Sequence, residues 1–157
     1  MTSATHAQFT EPPPDMNLNR YEPILLNVLR IMAGFLFFQH GAAKLWGWFD
    51  ATPVDYPELR FFAGVIEFFG GLLIMIGLGT RAVAFLSSGL MAFAYFIAHA
   101  PRGFWPYENG GSLAALYCFV FLYLVFRGPG SFSVDGIIAR STGRTPGRPA
   151  APAPREG

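Results

Sequence analysis

The chain reads as four long apolar runs separated by short polar breaks, at residues 24–43, 61–79, 82–98 and 113–126, the last led in by a small polar run at 109–112. A membrane span takes about 20 residues, with a range of roughly 17 to 25. The first three runs meet that length alone. The fourth meets it only if its start lies at the membrane interface or is sheltered by protein. With their polar ends, the expected spans are about 24–43, 61–79, 82–100 and 109–127. Prolines fall at the ends: Pro23 opens the first run, Pro101 closes the third and Pro129 follows the fourth, where a missing N–H harms a helix least. Lipid offers no partner to backbone polar groups, so apolar runs of this length are helices. The pattern predicts an all-α integral membrane four-helix bundle running up-down-up-down.

The second and third runs are joined only by residues 78–81, which makes them antiparallel neighbours in a tight helical hairpin. Small residues recur on their faces: Gly64 and Gly71 flank Glu67, and Ala84, Ser88 and Ala92 follow in register on the next helix. Such residues let helix backbones approach closely in lipid.

Composition agrees with a membrane solvent. The 157 residues are 52% hydrophobic and 17% aromatic with only 13% charged, about half the charge of a soluble domain. Residues 1–22, polar with three consecutive prolines, carry no signal-peptide pattern and read as a disordered tail. Residues 140–157, rich in Arg, Pro, Gly and Ala, read as a second. Between them, 23–139 is the transmembrane domain. With four spans, both tails share a side with Arg81. That side holds seven basic residues (Arg20, Arg81, Arg127, Arg140, Arg144, Arg148 and Arg155) against three on the other (Lys44, Arg60 and Arg102). The excess of positive charge puts both termini in the cytoplasm. Trp46, Trp48, Tyr56, Trp105 and Tyr107 then face outward, at headgroup level.

The stretch QHGAAKLWGWF, residues 39–49, places His40 and Lys44 at the outer end of the first span. At 100° per residue Arg30, Phe37, His40 and Lys44 fall within a sector of roughly 80°, a polar stripe expected to face the bundle interior. Glu67, about seven residues into the second span, lies roughly 10 Å below the outer interface. One reading makes it a structural partner of Lys44. The other makes it a proton-accepting carboxylate in a pocket, because ionisable groups at such depth usually face a cavity or partner. His99 ends the third span and Asn109 opens the fourth, so every helix brings a polar group to the outer half. Lys44 has the further option of snorkelling to the headgroups. Arg30 reads as an anchor on the cytoplasmic side, through Asp135.

Other features have quieter readings. Cys118, the single cysteine, excludes an intrachain disulfide or thiolate cluster and reads as a small buried hydrophobe. His40, His99 and Glu67 lack any local metal-ligand spacing, so no metal is expected. The NGG at 109–111 reads as a turn into the fourth helix with Asn109 or Ser112 as N-cap. In GPGSFSVDG, residues 128–136, Asp135 is placed to cap a short amphipathic segment carrying Ile137 and Ile138. No haem, iron–sulfur or dinucleotide motif is present, and nothing points to nucleic acid.

HGAAKL, GVIEFFGGLLIMIGLGTRAVA and NGGSLAALYCFVFLYLVFRGPGSFSVDG together resemble the DoxX family of small four-helix bacterial inner-membrane proteins, over about residues 30–135. The resemblance implies a multi-pass inner-membrane subunit associated with quinone-linked redox chemistry, since named members accompany a terminal quinol oxidase or a thiosulfate to quinone oxidoreductase. It places His40, Lys44, Glu67, Asn109 and Asp135 on motif positions. Family members often carry an acidic residue after the two glycines, where this chain has Ser112; Glu108 is the nearest substitute.

The resulting expectation is an accessory subunit of a quinone-dependent oxidoreductase, without an intrinsic cofactor. Glu67 is its proton acceptor and Lys44 biases the charge. His40, His99 and Asn109 bind the substrate, and Arg30 and Asp135 are structural. Electrons would pass to a larger redox-complex partner. The alternatives are a non-catalytic assembly or scaffold subunit and, third, a small proton-coupled transporter, for which no inverted repeat is apparent.

Overall fold

The computed structural model describes residues 18–142. A 3-10 turn, Leu18–Tyr21, leads into α1, Glu22–Trp46; α2 spans Leu59–Ile76, α3 Thr80–Ala94, α4 Ser112–Arg127 and α5 Val134–Ser141. No strand occurs among the described residues. Three helical stretches, Glu22–Trp46, Leu59–Ile76 and Thr80–Arg102, are long and apolar enough to cross a membrane, and Ser112–Arg127 is apolar but shorter. Most of the two expected tails lies outside the described residues. Of the parts inside, Leu18–Tyr21 is the 3-10 turn and Arg140 belongs to α5.

Helix α3 continues past Ala94 as one π-helical turn, Tyr95–His99, and a 3-10 turn, Ala100–Arg102. Pro101 has a physical part in this, since its ring clashes with the carbonyl four residues back and it offers no N–H. Helix α4 starts later than expected. At 1.5 Å per residue its 16 residues cover about 24 Å of a core about 30 Å thick. Neither Asn109 nor Ser112 caps it: Gly111 holds the cap position without a side-chain bond, and Ser112 is the first helical residue. Asn109 instead fastens the preceding loop. Its Oδ1 accepts from Gly111 N–H at 2.7 Å and its Nδ2 donates to the Gly103 carbonyl at 2.8 Å. Irregular backbone at membrane depth is tolerated where protein encloses it, and this buried amide supplies the hydrogen bonds.

Contacts between helix ends fix the packing. Lys44, late in α1, meets Glu67, while Arg30, early in α1, meets the end of α2. Ser88 donates to the Cys118 carbonyl at 2.8 Å, and Arg81 reaches the Val125 and Phe126 carbonyls. One end of the bundle collects Trp46, Trp48, Trp105 and Tyr107; the other collects Arg81, Arg127 and Arg140. Between them Phe37, Tyr117 and Phe121 pack with centroids 4.7 to 5.4 Å apart, joined by Leu26, Ile74 and Leu124. Many remaining large apolar side chains point outward, Phe85, Phe119 and Phe126 among them.

The close backbone approach lies between α1 and α2 rather than between α2 and α3. A Cβ on Gly34 would come within 2.8 Å of the Gly71 carbonyl oxygen, and one on Gly41 within 2.7 Å of the Gly64 oxygen. The glycines are seven residues apart on both helices and meet in antiparallel register. Gly64 and Gly71 thus serve the first helix, and their partners are Gly34 and Gly41.

At the arginine end, side chains close the helix termini. Arg30, fully buried, donates to the carbonyls of Ile74 at 2.7 Å, Met75 at 2.6 Å and Phe132 at 2.5 Å. The first two are among the orphan carbonyls that end α2. Arg30 also donates to Asn27 Oδ1 at 3.4 Å, and Asp135, the expected partner, is not among its hydrogen-bond partners. Asp135 caps α3: its two oxygens accept from Gly79 N–H at 2.8 Å and Thr80 N–H at 2.9 Å. The cap of α5 is Ser133, which accepts from Gly136 N–H at 3.0 Å.

Candidate functional site

The aromatic end holds a cavity of about 200 Å³ walled by residues of α1, α2, α3 and α4. From the polar stripe of α1 come Phe37, His40 and Lys44; from α2, Glu67; from the π-helical turn, His99; from α4, Tyr117. Helical spacing accounts for the first three: Phe37, His40 and Lys44 are three and four residues apart and share a face. Arg30 lies on the same stripe but at the opposite end, away from the cavity.

Glu67 is the best shielded of the polar wall residues, with 3% of its side chain exposed, against 27% for Lys44. Its Oε1 forms an ion pair with Lys44 Nζ, so the lysine turns inward instead of snorkelling. Its Oε2 has no hydrogen-bond partner. A carboxylate offers about four lone-pair sites, and leaving one oxygen shut from water and unbonded is costly. Gly64 sits against Lys44 Cβ, and the interlocked glycines on either side hold α1 and α2 close enough for the pair to form.

His99 Nδ1 lies 3.2 Å from the Asn109 carbonyl oxygen. A carbonyl only accepts, so Nδ1 is the donor in this contact. The ring stacks on Tyr95 at 6.4 Å. His40 meets Tyr117 edge-on at 6.2 Å. Of the expected substrate-contacting residues, His40 and His99 join Glu67 and Lys44 on the wall. The Asn109 side chain does not; it is turned into its own loop, and the adjacent Gly110 lines the cavity. Among the described residues no group of three His, Cys, Asp or Glu is placed to hold a metal ion.

Tyr117 is the wall residue that sequence reasoning missed. The signal was present: Ala114, Tyr117, Phe121 and Leu124 are the buried residues of α4, at spacings of three, four and three, and Tyr117 alone among them has a polar tip.

An apolar groove of about 620 Å³ opens beside α2 and the His99 end of α3. Phe62, Ala63, Ile66, Phe93 and Ile97 form its sides, and it shares Lys44, Glu67, Ala94 and His99 with the cavity. Arg60 and Arg102 border it at the end nearest the loops.

A family model described as DoxX matches residues 25–100. The chain is 42% identical over 130 residues to an uncharacterized protein of Haemophilus influenzae, covering 76% of this chain and 94% of the relative. It is 28% identical over 132 residues to inner membrane protein YqjF of Escherichia coli strain K12, covering 77% and 97%. A second uncharacterized H. influenzae protein is 26% identical over 128 residues, covering 74% and 85%. No solved structure matches.

Proposed function

The chain belongs to the DoxX family and is a multi-pass inner-membrane protein, and on that premise we propose that it is a subunit of a quinone-linked redox assembly whose quinone and proton site is the cavity around Glu67. The observation that carries this reading is the buried Glu67–Lys44 pair with one carboxylate oxygen unpartnered. A pair serving packing alone contributes little net stability, whereas an incomplete acceptor on a cavity wall suits a site that takes up a proton or a hydrogen-bond donor.

In this reading Glu67 accepts the proton, Lys44 neutralises its charge, and His40 and His99 bind the ring oxygens. Asn109 acts indirectly, by holding the loop that positions His99. Electrons pass to an acceptor on a partner subunit, since the chain carries no redox-cofactor motif of its own. The four helices cross up-down-up-down with both termini cytoplasmic, supported by the seven-to-three excess of basic residues on the arginine side. The cavity then lies in the periplasmic half.

Affinity purification in mild detergent, with quinone extraction and identification of co-purifying subunits, tests the reading. Wild type should retain quinone and Glu67→Gln should lose most of it. Co-purification of a larger partner, with no quinone in either protein, would instead establish a scaffold subunit.

A further inference from the structure

A second cavity, of about 720 Å³, lies at the arginine end, framed by the start of α3, the end of α4 and α5, with Arg81, Arg127, Arg140 and Asp135 on its wall. It shares no wall residue with the cavity around Glu67. We propose that it holds the phosphate of an anionic phospholipid, gripped by the Arg81 guanidinium, with the acyl chains lying along the exposed faces of α3 and α4.

Arg81 is held in place by one part of its guanidinium and left free at the other. Its Nη1 donates to the Val125 carbonyl at 2.6 Å and the Phe126 carbonyl at 2.9 Å, two of the orphan carbonyls at the end of α4. Those bonds occupy both Nη1 hydrogens and fix the plane of the group. A guanidinium has five N–H donors, so Nε and Nη2 keep three, and these meet no acceptor among the described residues. Nε and Nη2 together form a fork that matches two oxygens of a phosphate. Gly128 keeps the fork uncovered: a Cβ there would stand 3.0 Å from Nη2 and 3.2 Å from Nε. Its φ of +83° is also a backbone conformation that favours glycine.

Charge favours an anion here. Among the described residues neither Arg81 nor Arg140 has an ion-pair partner, while Arg127 pairs with Glu22 and both are about half exposed. Asp135, the one carboxylate on the wall, is bonded through both oxygens to the Gly79 and Thr80 N–H groups. With Glu22 included, three guanidiniums still outnumber two carboxylates. The helix surface beside the cavity favours a lipid as the source of the phosphate. Phe85, four residues after Arg81, shares its face of α3, and Leu122 shares a face of α4 with Phe126. Arg81 meets Phe126 and Ser88 meets Cys118, so Phe85 falls level with Leu122. Phe85 and Phe126 are 68% and 75% exposed, and Ile137 and Ile138 of α5 are exposed as well. A soluble phosphate would use the guanidiniums alone; a phospholipid uses them and the apolar surface next to them. Basic pockets between spanning helices bind headgroups of this kind.

Native mass spectrometry of the full chain in a non-ionic detergent, which counts bound molecules, tests this with four probes: dioleoylphosphatidylglycerol, dioleoylphosphatidylcholine, dioleoylglycerol and the tail-less glycerol phosphate. A single phosphatidylglycerol should bind about fivefold tighter than phosphatidylcholine, the scale of one basic contact. It should bind about tenfold or more tighter than dioleoylglycerol, which lacks the phosphate. Arg81→Gln should remove most of both preferences. Arg20→Gln makes the same change of charge at this end but off the cavity wall, and should leave them intact. Because Arg81 also closes α4, its variant has a companion in Arg140→Gln, which gives up only a 3.4 Å bond to the Ser131 carbonyl and should weaken phosphatidylglycerol about threefold or more. Equal binding of the three lipids, or unchanged binding in Arg140→Gln, would overturn the phosphate site. Equal losses in Arg20→Gln and the wall variants would assign the effect to the general charge of this end and overturn the cavity. Glycerol phosphate binding as tightly as phosphatidylglycerol would overturn the lipid as occupant in favour of a soluble phosphate.

Discussion

Lys44 and Glu67 depend on each other in a way neither would alone, because removing the ammonium leaves a carboxylate with 3% of its side chain exposed and no counter-charge. Breaking a buried pair from one side costs about 3 kcal/mol or more. Lys44→Met should therefore destabilise strongly, Lys44→Arg much less, and Glu67→Gln should relieve most of the Lys44→Met penalty. Thermal unfolding in detergent of the two single variants and the double variant gives the coupling, expected at about 1 kcal/mol or more; additive effects would mean that the two side chains do not interact. This pair was open to inference from the sequence because both residues interrupt apolar runs at a similar depth. Arg30 was legible only in part. An arginine in a span must find partners, and Asn27, three residues earlier, is one of them, but nothing in its neighbourhood says that the others are backbone oxygens of Ile74, Met75 and Phe132, up to 102 residues away.

At the level of helices, apolar run length predicted four long elements, but most of their ends are displaced by about two or three residues from the expected spans, because polar and glycine-rich flanks extend or shorten a helix without changing the apolar run. Which faces meet was harder to read. Gly64 and Gly71 announce a close contact without naming the partner, and only the matched seven-residue spacing of Gly34 and Gly41 does so. Pro101 marked an end to α3 but not the π-helical turn that brings His99 to the cavity. The glycines separate into two kinds with opposite expected behaviour. Gly71→Val would drive a side chain into the backbone at Gly34 and Phe38, separating α1 from α2, and should lower the melting temperature in detergent by many degrees while disrupting the Lys44–Glu67 pair. Gly89, with nothing within 4 Å of a new Cβ, lies inside α3, where alanine is favoured over glycine by up to about 1 kcal/mol. Gly89→Ala should leave the melting temperature unchanged or raise it. Equal losses from the two would mean that the α1–α2 contact is not the tight one.

For the whole molecule, the two ends differ in chemistry, and that difference sets the expected orientation. In a Cys118→Ala background, thiols introduced at Tyr56 or Tyr107 should react with a membrane-impermeant maleimide added to intact spheroplasts, while one at Arg140 should react only after lysis. The reverse pattern would move the cavity to the cytoplasmic half. The fold also carries an order in time. The segment that follows α4 supplies the Phe132 carbonyl to Arg30 and the Asp135 carboxylate to the start of α3, so residues translated late complete termini in helices translated early. During synthesis α1, α2 and α3 enter the bilayer with a guanidinium and two amide N–H groups still waiting for those partners. A chain cut between residues 127 and 132 keeps the four long helices but lacks the partners that close their arginine end.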